Sequence, residues 1–116
     1  MMKEKDIHEL KYPKLYADIP PRVKDFLFEH AKKKKYDSVA GLLQEYITRY
    51  IDGDLTVDPD SRYKYYTEEN KIKNFTFTVE PGQFEAFERM RKSNFRKRNK
   101  EAALFVVSVY HHLKQK

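Results

Sequence analysis

Cysteine is absent from this 116-residue chain, glycine occurs three times, and no apolar run is long enough to span a bilayer. Without Cys there are no disulfides, no thiolate metal sites and no Cys nucleophile, which fits a reducing cytosol. Three glycines leave no Gly-rich loop to cradle a phosphate. The opening MMKEKDIHELK has no apolar core of signal-peptide length, and a spanning helix needs about 20 apolar residues. A soluble, cytoplasmic protein with no membrane partner is therefore expected. There are also no paired carboxylates framed by apolar residues and no nucleophile with a plausible base, so neither an enzyme nor a cofactor is expected.

What the chain has is charge, unevenly placed. The net charge is +6. Residues 1–51 carry 11 basic and 8 acidic groups, residues 52–71 carry 3 and 6, and residues 72–116 carry 10 and 4. The two ends are basic and the middle is acidic. A basic domain with clustered Lys and Arg is the footprint of a polyanion binder.

Two stretches, KLYADIPP (Lys14 to Pro21) and NFTFTVEP (Asn74 to Pro81), open the same series of events. Each is a short alternating strand and a Pro turn, followed by an amphipathic helix, a basic turn and a second apolar helix. A small unit read twice constrains fold and symmetry together. In the first strand Leu15, Ala17 and Ile19 alternate with Lys14, Tyr16 and Asp18; in the second, Phe75, Phe77 and Val79 alternate with Asn74, Thr76 and Thr78. Pro20 and Pro21 pre-set a helix start, and Val23, Phe26, Leu27 and His30 then form one apolar stripe. Lys32 to Lys35 close that helix, and Asp37 or Ser38 caps the next. That helix places Leu42, Leu43, Tyr46, Ile47 and Tyr50 on one face.

In the second half Pro81 and Gly82 turn the chain, and Phe84, Phe87 and Met90 line a helix. The turn SNFRKRNK (Ser93 to Lys100) follows, with Asn99 expected as N-cap and about two more residues than its counterpart. The final helix, containing AALFVVSV, is apolar almost all round. Residues 1–12 form either a short helical turn or an N-terminal arm. Residues 52–71 form an acidic linker with Tyr63, Tyr65 and Tyr66, which either stack on nucleic acid or, the favoured reading, cover Val106 and Val107.

Strand, helix, helix with these turns resembles the ribbon-helix-helix superfamily that contains the Arc and MetJ repressors, in a tandem single-chain form as in the conjugation protein TraY. The resemblance spans residues 13–51 and 72–116. It implies a mainly α fold with a two-stranded antiparallel ribbon, the two β-α-α units forming a pseudo-dimer. It further implies a sequence-specific reader of double-stranded DNA, most often a transcriptional repressor that also binds itself on adjacent sites. Carried over by position, base contacts fall on Lys14, Tyr16, Asn74, Thr76 and Thr78. Phosphate contacts fall at the second-helix starts, Ser38 and Val39 in one unit and Lys100 and Glu101 in the other, with Lys34, Lys35, Arg96, Lys97 and Arg98 just upstream.

The chemistry suits those places. The major groove admits a two-stranded ribbon; Lys donates to guanine, Asn pairs with adenine at two points, and Thr donates, accepts or touches a thymine methyl. Free N–H groups at a helix start bind phosphate. Phosphate contacts position a protein, and base contacts specify its site. Asp18 is a poor groove contact and is expected to pair near Lys73 and Asn74.

Plainer readings stand beside these. Tyr16 packs on the ribbon edge, Thr76 and Thr78 are ordinary exposed strand residues, and Lys32 to Lys35 are a solvated helix end. His30 is a core residue. His111 and His112 are adjacent on a helix, point about 100° apart and suit no shared metal. Two other functions remain open: a plasmid or mobile-element accessory protein binding origin DNA beside a relaxase or partition motor, and an antitoxin-like protein-interaction module.

Overall fold

The computed structural model describes residues 12–55 and 72–115, with Ile72, Lys73 and Asn74 described by backbone alone. The described chain is mainly helical with one two-stranded antiparallel sheet. It runs β1 (Lys14–Ile19), α1 (Pro21–Lys33), α2 (Val39–Ile51), β2 (Ile72–Thr78), α3 (Pro81–Ser93) and α4 (Arg98–Lys114). The expected contacts of Tyr63, Tyr65 and Tyr66, and of the arm before Tyr12, lie outside the described residues.

Period-2 alternation fixes the ribbon. Lys14 pairs with Thr78, Leu15 with Phe77, Tyr16 with Thr76 and Ala17 with Phe75. Leu15, Ala17, Ile19, Phe75, Phe77 and Val79 are all buried, so every inward position of both strands reaches the core. The next pair is Ile19 with Ile72. Between these last two pairs β1 has one residue, Asp18, and β2 has two, Lys73 and Asn74. That is the count of a β-bulge, which bends and twists the strand at one end of the ribbon.

The helices close the other side. α1 and α3 both begin on proline, Pro21 and Pro81, whose missing N–H costs nothing at that position. α2 turns Leu42, Leu43, Tyr46, Ile47 and Tyr50 inward, and α4 lies along β1 with ten buried residues, which is why its sequence is apolar on nearly every side. Phe105 of α4 joins the two surfaces, its ring centroid 5.9 Å from Phe77 and 5.2 Å from Tyr50. His30 is half-buried rather than buried, its ring stacked 5.9 Å from Phe26 at the margin of the core.

The two interhelical turns share one hydrogen-bond pattern. After α1, Lys34, Lys35 and Tyr36 donate to His30, Lys32 and Ala31; sixty positions on, Asn94, Phe95 and Arg96 donate to Met90, Lys92 and Arg91. The second turn is not the longer one. Residues 34–38 separate α1 from α2, whereas residues 94–97 separate α3 from α4. Helix α4 is capped at Lys97, not Asn99: with Arg98 and Asn99 already helical, the basic stretch is absorbed into the first turn. Among the described residues no helix is long and apolar enough to cross a membrane.

Candidate nucleic-acid interface

The outward face of the ribbon gathers most of the base-contact candidates. Lys14 and Thr76 are exposed, Tyr16 is 50% exposed, and Asp18 and Thr78 are half-buried. Cross-strand pairing sets Lys14 beside Thr78 and Tyr16 beside Thr76, a polar surface over an entirely apolar underside. Thr78 is partly engaged: Gln44 Nε2 of α2 donates to its backbone oxygen at 2.8 Å and to its Oγ1 at 3.5 Å. Asn74 lies in β2, and its side chain is outside the description. Thr76 is the more open of the two threonines.

Gln44 also ties this surface to the helices. Gln83 Nε2 of α3 donates to the Gln44 carbonyl at 2.9 Å, and Gln83 Oε1 accepts from the Glu80 amide at 3.1 Å. The first half of α2 is thereby held against the end of β2. Ser38 caps α2, its Oγ accepting the Gly41 amide at 3.2 Å. The amides of Val39 and Ala40 occupy the first two helical positions, where no helix carbonyl can reach them. So Ser38 serves as a cap, and the Val39 and Ala40 amides are left without a helical acceptor.

At the second helix start the cations are less free than the sequence suggests. Glu88 Oε2 accepts from Arg91 Nε at 2.6 Å, Glu88 Oε1 accepts from Arg98 Nε at 2.9 Å, and Arg98 also lies 5.2 Å from the centroid of Phe84. These hydrogen bonds, Arg91's first and then Arg98's, hold the Glu88 carboxyl down at about 2. Arg96 is turned toward the core, where its guanidinium meets the fully buried Glu101 at 3.2 Å. Lys34, Lys35, Lys97 and Lys100 are exposed and meet no carboxylate among the described residues.

Glu101 is therefore not a helix-start residue facing solvent. It sits one turn into α4 and accepts from Tyr50 Oη at 2.6 Å, Asn94 Nδ2 at 3.1 Å and Arg96. Its place relative to the start of α4 matches that of the buried Leu42 in α2. The signal was present in the sequence, since Glu101, Phe105 and Val109 share one helical stripe. The carboxylate fastens the turn before α4 to the end of α2, fixing where the exposed Lys97 and Lys100 stand.

The histidines belong elsewhere. Burial, then Lys114 and Arg22, holds His111 below the usual histidine value. Among the described residues no three His, Cys, Asp or Glu side chains are grouped to hold a metal ion. Comparison with known proteins finds no matching family model, no matching curated protein and no matching solved structure.

Proposed function

We propose that this chain is a sequence-specific double-stranded DNA-binding protein that lays its ribbon in the major groove. Both strands and both helix pairs come from one polypeptide acting as a pseudo-dimer. The carrying observation is the antiparallel pairing of β1 and β2 about Tyr16 and Thr76, which puts Lys14, Tyr16, Thr76 and Thr78 on one outward face. A groove about 12 Å wide takes a two-stranded ribbon, and these side chains carry the donors, acceptors and methyls that distinguish base pairs. Support also comes from the matched turns ahead of α2 and α4, each of which leads exposed lysines toward a helix start. A repressor that occludes a promoter is the role that best suits such a compact reader.

The two halves differ in turn length, in the bulge beside Asp18 and in the ion pairs at α4, so an imperfect palindrome is the expected target. The test is selection of bound duplexes from a random pool, followed by fluorescence-anisotropy titration of the winner against scrambled competitor. T76A should cost about 1–3 kcal/mol of discrimination at one position if Thr76 reads a base. An unchanged consensus and affinity in T76A would remove the ribbon from the role of reader.

A further inference from the structure

Phe95 is 96% exposed, far beyond any other large apolar residue among those described. It also stands in the left-handed backbone region, at φ +57°. Among the described residues this kind of turn occurs three times: Tyr36 donates back to Ala31 at 2.9 Å, Asp54 to Arg49 at 2.8 Å and Arg96 to Arg91 at 3.0 Å. After α2 the left-handed residue is Gly53, φ +82°, which carries no Cβ and no strain. Ahead of α2 it is Lys35, φ +61°, and ahead of α4 it is Phe95. Phe95 makes no ring or cation–π contact with a described residue. Solvent exposure and backbone strain both count against a phenylalanine here, and no packing against a described residue offsets them.

The surroundings indicate what offsets them. From Arg91 to Lys100 the sequence RKSNFRKRNK holds six cations and no acid. An apolar ring set among cations complements a surface that alternates anionic and apolar groups. We propose that Phe95 is a DNA contact, its ring packed on the C–H face of a deoxyribose between phosphates neutralised by Lys92 and Lys97. This rests on the DNA-binding reading above and adds to it a second, apolar kind of anchor. With the ribbon in the groove, a turn outside the ribbon meets the sugar-phosphate strand rather than stacked bases. At the corresponding position in the first half, Lys35 supplies a charge. One end of the site is held ionically, and the other partly by apolar contact. A membrane surface fits less well, because one aromatic ring buries too little area for stable insertion.

The experiment uses the full chain as wild type, F95N, F95L and F95K. Each is titrated by anisotropy against the selected duplex at two salt concentrations, melted without DNA, and mixed with vesicles of phosphatidylcholine and phosphatidylglycerol. Asn tolerates the left-handed region, so F95N should melt at or above the wild-type temperature. Its affinity should nonetheless fall about tenfold at both salts, the effect of exposing roughly half a phenyl face. F95L should recover most of the loss, and F95K should recover it at low salt only, with a steeper salt slope. F95N binding DNA as wild type does, or losing vesicle binding while keeping DNA binding, would overturn the assignment. A wild-type chain that selects no duplex would bring down the DNA reading itself, whatever F95N did.

Discussion

Replacing Glu101 with Ala tests how the second helix start is built. The carboxylate is fully buried, and its donors differ in how they fare when it goes. Tyr50, only 8% exposed, loses the acceptor that lies 2.6 Å from its hydroxyl; depriving a buried hydroxyl of such a hydrogen bond costs about 1–3 kcal/mol. Arg96 is 42% exposed at its side chain and rehydrates cheaply, so the full penalty of stranding a buried charge does not apply. The void left beyond Cβ adds roughly 1–2 kcal/mol. The sum is about 2–5 kcal/mol, a large share of the 5–15 kcal/mol typical of a small domain.

In urea, at a mid-range slope of about 2 kcal/mol/M, E101A should lower the unfolding midpoint by roughly 1–2.5 M. E101L, which installs the residue type found at Leu42, removes the void and should cost only about 1–3 kcal/mol, chiefly from the lost Tyr50 hydrogen bond. Adding Y50F to E101L should return most of that stability. A midpoint for E101A within about 0.3 M of wild type, or no recovery in the double variant, would refute the buried-acceptor reasoning.

The Glu88 fork gives a pH signature. Its folded value near 2 lies below its ordinary 4.5, so its contribution is present above about pH 4.5 and disappears as pH falls toward 2. E88Q should be less stable than wild type at pH 7, and the two should converge in melts run toward pH 2; curves that stay parallel would remove the fork from the acid response. Lys34 and Lys35 are exposed and meet no carboxylate, so K34Q/K35Q should flatten the dependence of log K on log salt by about 0.9 for each phosphate no longer neutralised. Its melting temperature should change little, which anisotropy and a thermal melt together would check.

Much of the architecture is legible in the sequence because each element carries its own period. Leu15, Ala17 and Ile19 announce a half-buried strand, and Pro21 and Pro81 mark helix starts that the backbone honours. The register about Tyr16 and Thr76 also follows, since a slip of one residue would turn every apolar side chain outward. What misled was the basic turn. SNFRKRNK contains no apolar residue after Phe95 to reveal the helical phase, so the start of α4 reads two residues late and the turn too long. Charge alone also made Arg96 and Arg98 look available, although Glu101 and Glu88 hold them.

Which residues alternate, where the helices lie and which segments are basic were all settled along the chain. Those properties depend on neighbours within a few positions, where sterics and hydrophobic spacing act directly. Which charges remain free was settled only when the elements packed together. Tyr50 and Glu101 are 51 residues apart in the chain, and so no local pattern records that one donates to the other. Packing also left Phe95 outside the core while every other phenylalanine is at least half covered, because burial depends on which faces of four helices close against one ribbon.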